Sequence, residues 1–267
     1  MYKVLIMGLP GSGKTTLASL LHKKISEKVE CSWHNADSVR KILDDWDFSD
    51  EGRSRQAVRM GEYGDRDKAA GIVSICDFVC PTRKYRELFS MKAEPDYVIW
   101  MDTISQGRFE DTNRIFEPPS TYDYRIRSFA AEQWAEIIAA DILADRKPTK
   151  FDPRKPTVQM LGRWQPWHPG HQALFERALA KTGQVCIMIR DCQGWNDSNP
   201  FDPNEVQRRI HAALSPKYSG QYEVMVVPNI VNITYGRDVG YKIEQETFTD
   251  EIHAISATKI REEMGLV

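Results

Sequence analysis

Two short stretches carry residue types at spacings that could do chemistry. The first, Gly8-Leu-Pro-Gly-Ser-Gly-Lys14-Thr15, fits the pattern G-x-x-x-x-G-K-[ST] in full. Its glycines let backbone N–H groups turn inward around phosphate oxygens. Lys14 would place a cation on the β- and γ-phosphates, and the Thr15 hydroxyl would be a ligand for Mg²⁺. Gly8, Gly11, Ser12, Gly13, Lys14, Thr15 and Thr16 are therefore the expected nucleotide-holding residues. The second stretch, Gly162-Arg-Trp-Gln-Pro-Trp-His-Pro-Gly-His171, sets His168 and His171 three apart around a Pro-Gly turn. Imidazole N–H donors at a helix start suit a nucleotide whose α-phosphate is attacked while pyrophosphate leaves. A metal pair is the competing reading, but no third ligand of suitable type stands nearby, and ordinary turn histidines are another.

The elements around these stretches must place them at strand ends. YKVLIMG reads as a buried strand before the first loop, and TTLASLLHKKISEK as an amphipathic helix after it. A helix over SRQAVRMGEYGDRDKAA, a strand GIVSICDFV, a helix RKYRELFSM, a strand DYVIWMD and a helix SFAAEQWAEIIAADILADR continue the alternation. Strands and helices alternating at this size predict an α/β fold with a parallel sheet covered on both faces. KPTKFDPRKPT, rich in proline and charge, reads as a linker. A second α/β unit then begins: strand TVQMLG, the two-histidine turn, helix HQALFERALAKTG, strand QVCIMIRD, helix DPNEVQRRIHAAL with Asp202 as N-cap, and strand YEVMVVPNI. The expected organisation is a P-loop kinase domain over 1–147, a linker over 148–156 and a smaller Rossmann-like domain over 157–267.

Bulk properties narrow the partners. The 267 residues carry a formal charge of −2, so no overall basic field recruits nucleic acid. No apolar run is long enough to span a bilayer, and the N-terminus lacks the pattern of a signal peptide. Cys31, Cys76, Cys80, Cys186 and Cys192 are odd in number and form no Cys-x-x-Cys pair, which argues against a disulfide framework or structural zinc. A reducing, cytoplasmic setting is expected, with small phosphorylated molecules as partners and homo-oligomerisation left open.

Further motifs join the two stretches. His34-Asn-Ala-Asp-Ser-Val-Arg-Lys41 places Asp37 and Arg40 after a second strand, at the sheet edge where ligands bind. Asp37 could orient or deprotonate an acceptor hydroxyl and Arg40 could bind its anionic group; a helix cap and a surface arginine are the bland alternative. GLPGSGKTT, NADSVR, DFSDEGRSRQAVRMGE, FVCPTRKYRE and VIWMDT together resemble the adenylylsulfate kinase family over the first half of the chain. The resemblance implies ATP and Mg²⁺ as cofactors, Asp37 as the catalytic carboxylate, and Arg40, Phe48, Arg53, Gln56, Pro81 and Arg83 around a sulfated acceptor. The chain departs from the family at Gln56, where the family has Asn, and at Cys80 and Thr82, where it has Ser and an aromatic residue. Asp77, at the end of a strand, is either a Mg²⁺-linked carboxylate or a hydrogen-bonded structural one. Gln106 to Tyr124 reads as a shortened lid.

In the second half, GRWQPWHPGH and ISATKIREEM resemble the two ends of the nucleotidylyltransferase superfamily with its HIGH-type turn. SNPFDPNEVQRR is similar to a segment of the nicotinamide mononucleotide adenylyltransferase group, while Gly236-Arg237-Asp238 looks more like a turn of cytidylyltransferases and ATP sulfurylases. The resemblance implies that His168 and His171 stabilise the transferring phosphate. It also implies that Ser256, Thr258 and Arg261 hold the β- and γ-phosphates of ATP or CTP. Gly162, Arg163, Trp164, Gly236, Arg237 and Asp238 complete the expected nucleotide contacts; Lys259 adds charge, and Trp164 or Trp167 could stack on a ring or simply pack. The whole reads as a bifunctional transferase. A ribosylnicotinamide-type kinase with a mononucleotide adenylyltransferase, and a nucleotide-sensing regulator without catalysis, are the alternatives.

Overall fold

The computed structural model describes residues 1–192, 196–234, 236–237, 240, 242–249 and 255–266. The chain divides into two compact units, Met1–Pro148 and Thr149–Val267. Among the described residues no helix is long and apolar enough to cross a membrane.

The first unit is built on a parallel sheet of five strands: β1 (Lys3–Gly8), β2 (Cys31–Asn35), β3 (Val73–Asp77), β4 (Tyr97–Met101) and β5 (Tyr124–Ile126), in the order β2-β3-β1-β4-β5. Alternation along β1 explains the three layers. Val4 and Ile6 face α1 (Lys14–Ser26) and α6 (Ala131–Leu143), packing with Leu17, Leu21, Trp134, Ile138 and Ile142. Leu5 and Met7 face the other way, into a cluster with Val39 of α2 (Ala36–Leu43), Met60 of α3 (Asp50–Ala69), and Tyr85 and Phe89 of α4 (Arg83–Phe89). Both faces of β1 are thus covered, so it reads as a continuous apolar run. β1 lies between β3 and β4, where the connections diverge to opposite sides of the sheet; a crevice opens at such a switch point, beyond the strands' carboxyl ends. An α/β fold with a parallel sheet and a phosphate loop after the first strand is the architecture of P-loop kinases.

The structure departs from the expected elements at several points: α2 and β5 were not foreseen, the latter starting at the residue where the lid was expected to end. The third helix begins at Asp50, four residues before the expected SRQAVR start, because the Ser49 hydroxyl accepts from Gly52 N at 3.2 Å and caps it there. The expected lid contains a short helix of its own, α5 (Glu110–Ile115).

The second unit has a three-stranded parallel sheet, β6 (Val158–Gly162), β7 (Val185–Arg190) and β8 (Tyr222–Val227), in that order. α7 (Pro169–Thr182) and α8 (Pro203–Leu214) cross between them and share one core: Phe175, Ala178, Val206, Ile210 and Leu214 pack with Val185, Ile187 and Ile189. Asp202 caps α8 by accepting from Asn204 N and Glu205 N at 2.8 and 3.1 Å. β8 stops at Val227 because Pro228 has no N–H for the ladder, so the apolar run VPNI does not extend it. A last short helix, α9 (Ala257–Glu263), carries the ISATKIR residues.

Candidate functional site

In the first unit, the loop after β1 is shaped for close approach. Gly8 has φ 145°, and a Cβ there would lie 2.4 Å from the Met101 carbonyl oxygen. Gly13 at φ 91° leads into α1 with no side-chain cap, so the first N–H groups of that helix stay available to an anion. The Ser12 hydroxyl is buried without a partner. The Lys14 ammonium folds back and donates to the Leu9 carbonyl at 2.8 Å. Burial pulls its pKa down to about 8, against the attraction of Asp77 and Asp37.

Asp77, at the end of β3, is the hub beside this loop. It accepts from Thr15 Oγ1 at 2.9 Å, from Trp33 Nε1 at 2.7 Å and from Asn35 Nδ2 at 3.0 Å. Burial raises its pKa, with the three donors and Lys14 pulling the other way. Parallel register explains the meeting: Asn35 and Ile6 are the partners of Asp77 on the two neighbouring strands. The open question about Asp77 therefore takes a definite geometry, a carboxylate in hydrogen-bond contact with the Thr15 hydroxyl. Thr15 and Asp77 together fit a Mg²⁺ ion, which is usually held by one or two protein oxygens and completed by phosphates and water. Asn35 and Trp33 went unnoticed in the sequence; their signal was position, Asn35 ending β2 and Trp33 lying two residues earlier on the same face of that strand.

Asp37 lies exposed in the first turn of α2, close enough to act electrostatically on both Lys14 and Arg40. Arg40 is buried and donates to the carbonyls of Asp45 and Asp47 at 2.8 and 2.9 Å, with the Phe48 ring 4.8 Å from its guanidinium carbon. Arg40 thus braces the 45–52 turn as well as lining it. Arg53 donates to the Phe48 carbonyl at 2.8 Å and to Asp111 of α5 at 2.7 Å. Gln56 is buried, donating to the Ala36 carbonyl and accepting from Arg59. Arg40, Phe48 and Arg53 thereby meet around one turn, while Gln56, further along α3, is tied instead to the start of α2. Pro81 is buried, with its carbonyl accepting from Glu117 N at 2.7 Å. The Arg83 side chain is 82% exposed and pairs with Glu87 one turn along α4, so its guanidinium is spent away from that wall. Thr16 joins Gly13, Leu17, Phe129 and Trp134 around a cleft on the α1–α6 side of the loop.

In the second unit, one pocket is lined by Gly162, Arg163, Trp164, Gln165, His171, Ser198, Ala257 and Arg261. His168 is the N-cap of α7; its Nδ1 accepts from Gly170 N at 3.1 Å, which leaves Nε2 as the nitrogen that carries the proton. His168 and His171 stack with ring centroids 3.5 Å apart. Burial lowers both pKa values, His171 to about 3 with a further push from His168, so these are neutral imidazoles at pH 7. Among the described residues, His171 Nδ1, Trp167 Nε1 and Arg261 Nε are buried without partners.

Trp164 sits at φ 53°, a left-handed conformation that costs a bulky residue about 1–3 kcal/mol. Its Nε1 donates to the Met188 carbonyl at 3.0 Å, and its ring meets His171 edge-on at 4.8 Å. A Cβ at Gly162 would lie 2.7 Å from that ring, so the strand end must be glycine for Trp164 to fold beneath it. Trp164 and Trp167 both pack against His171. Arg261 reaches back from α9 to donate to the Gln165 carbonyl at 2.6 Å and to Thr258 Oγ1 at 3.1 Å, while Ser256 caps α9 through Thr258 N. Gly236 and Arg237 form an exposed bend, and Asp238 lies outside the described residues. Among the described residues no cluster of His, Cys, Asp and Glu could hold a metal ion by itself.

Comparison with known proteins bears on the first unit. Residues 2–110 match the sequence model of the family described as adenylylsulphate kinase. Over 101 residues the chain is 36% identical to adenylyl-sulfate kinase 1, chloroplastic, of Arabidopsis thaliana, covering 36% of this chain and 37% of that protein. Over 95 residues it is 36% identical to the adenylyl-sulfate kinase of Thermodesulfovibrio yellowstonii, covering 34% and 47%. The match thus spans less than half the length of these relatives. A solved structure of the Mycobacterium tuberculosis APS kinase in complex with AMPPNP and APS superposes with a TM-score of 0.46 at 20% identity, over 54% of this chain and 98% of that one. The N-terminal part of the chain is similar to adenylylsulfate kinases.

Proposed function

We propose that the chain is a bifunctional transferase. Unit Met1–Pro148 is an ATP-dependent kinase of a small anionic acceptor, with adenylylsulfate as the first candidate. Unit Thr149–Val267 is a nucleotidylyltransferase that releases pyrophosphate from ATP or CTP. The observation that carries the kinase reading is the Thr15–Asp77 contact beside a complete phosphate loop. Phosphate oxygens entering the loop would take Lys14 from the Leu9 carbonyl and meet the N–H groups at the start of α1. Thr15 and Asp77 would hold Mg²⁺, which supplies charge neutralisation between the β- and γ-phosphates. Asp37 would orient the acceptor hydroxyl, and the Arg40–Phe48–Arg53 wall would receive the acceptor's ring and anion.

The second reading rests on the pocket that gathers Gly162, Trp164, His171 and Arg261 with unpartnered donors. Neutral imidazoles can donate N–H bonds to charge growing on an α-phosphate without serving as proton donors. An acceptor phosphate oxygen would form the new bond to the α-phosphorus as the bond to the β-phosphate oxygen breaks, and the electron pair leaves with pyrophosphate. Incubation with ATP, Mg²⁺ and adenylylsulfate tests the kinase acceptor, read by mass spectrometry. Product heavier by one phosphoryl group, together with ADP, is expected; no turnover of adenylylsulfate while another acceptor yields ADP would remove it as the substrate.

A further inference from the structure

Nucleotidyl transfer by direct displacement sets a geometric demand. The attacking oxygen and the leaving pyrophosphate oxygen lie roughly in line on opposite sides of the phosphorus. A site that seats pyrophosphate on Arg261 therefore needs a second seat for the acceptor, built from different residues. The proposed function assigns no residue to it.

Arg190 is the last residue of β7, the central strand, so it stands at the carboxyl edge where ligands of parallel sheets bind. The residue before it in β7, Ile189, is the register partner of Gly162, which opens the two-histidine turn. Burial alternates along β7: Val185, Ile187 and Ile189 enter the helix-packed core, so Arg190 shares the opposite face with Cys186 and Met188. Among the described residues the Arg190 guanidinium is held at one nitrogen, by Asn229 Oδ1 at 2.7 Å just beyond β8. Its Nε is buried and has no partner among the described residues, and the same holds for Oδ1 of Asn199, which follows pocket-lining Ser198. A guanidinium orients two adjacent N–H groups in a fork that matches a phosphate. None of its contacts is shared with Arg261, which is anchored on Gln165 and Thr258.

We infer that Arg190, aimed by Asn229, binds the phosphate group of a phosphomonoester acceptor at the second site. This rests on the nucleotidylyltransferase reading and deepens it. A phosphomonoester dianion attacks through an oxygen that bears no proton, so the step balances without a general base. That agrees with two imidazoles kept neutral beside the pocket.

The test uses the full chain with ¹⁵N-labelled arginine. The Arg190 Nε–H resonance, assigned by its loss in Arg190→Lys, is followed during titration with glycerol phosphate, with and without Mg²⁺ and CTP or ATP. A saturable shift that persists beside bound nucleotide is expected. A shift caused by nucleotide alone and untouched by glycerol phosphate would place Arg190 on the triphosphate and overturn the inference, as would no shift at all. Pyrophosphate release separates the two layers. With an active phosphomonoester, Arg190→Ala should raise the acceptor KM about 10²-fold, leave the nucleotide KM in place, and be partly rescued by Arg190→Lys. A saturable shift in a protein that releases no pyrophosphate would keep the phosphate seat and remove the transferase.

Discussion

The two candidate sites prepare for phosphate in opposite ways. In the first unit the main charged groups beside the loop already have bonds within the chain, Lys14 on the Leu9 carbonyl, Asp77 on three donors and Arg53 on Asp111, and the unpartnered group is the neutral Ser12 hydroxyl. In the second unit polar nitrogens are left without partners among the described residues, at His171 Nδ1, Trp167 Nε1 and Arg261 Nε. The first site stores a movable cation that a ligand must win from a carbonyl. The second packs neutral rings against each other and leaves buried polar nitrogens that a ligand would satisfy. An exposed, highly charged triphosphate in a loop suits the first device; charge growing on a buried phosphorus suits the second.

The largest expected effect breaks the comparison into its halves. Lys14→Ala should lower ADP formation about 10²–10³-fold while pyrophosphate release stays, and His171→Ala should do the reverse by a similar factor. Parallel assays of the two products check this. Asp77→Asn should follow at about 10–10²-fold in kinase rate, with a higher Mg²⁺ requirement, read from a metal titration.

The pH responses sharpen the contrast. Free Lys14 loses its proton above about pH 8, whereas bound phosphate favours the charged form. ATP affinity should therefore fall as pH rises past 8, with proton uptake on binding at pH 9, seen by calorimetry in buffers of different ionisation heat. His171 is neutral when folded down to about pH 3 but protonates near 6.5 in an unfolded chain, so its contribution to stability is lost as pH falls from 6.5 toward 3. His171→Gln should flatten the acid limb of the second unit's unfolding curve. The pH–rate profile for pyrophosphate release should show no break near 6.5 from this residue. The smallest effect belongs to Arg83→Ala. Its exposed pair with Glu87 is worth at most about 0.5 kcal/mol, and acceptor KM should stay within twofold of wild type. A large rise in KM would show that Arg83 swings onto the acceptor.

Most strands and the phosphate loop were legible because their signals are local; β5, only three residues long, offers no apolar run of its own and was missed. An apolar run followed by Gly-x-x-x-x-Gly-Lys-Thr has one sensible reading, and β1, the loop and α1 follow it. Asp202 as a cap was legible for the same reason. What the sequence hid was register. Trp33, Asn35 and Asp77 come from residues 33 to 77 and meet only because β2 and β3 run side by side with their ends level. The start of α3 was misplaced because Ser49, not Ser54, has the backbone geometry to cap it. Arg40 read as a free cation, since no local pattern announces that its guanidinium is drawn onto the carbonyls of its own turn. In the second unit the HPGH turn was visible, but the left-handed Trp164 beneath it was not. That conformation depends on a carbonyl of β7.

The most direct test of two independent sites is one assay that reads ADP and pyrophosphate together. It compares the wild-type chain with Lys14→Ala and His171→Ala, in Mg²⁺ with ATP or CTP and a panel of phosphorylated and sulfated acceptors. Each variant should lose one product and keep the other. Loss of both products in either variant would contradict the account.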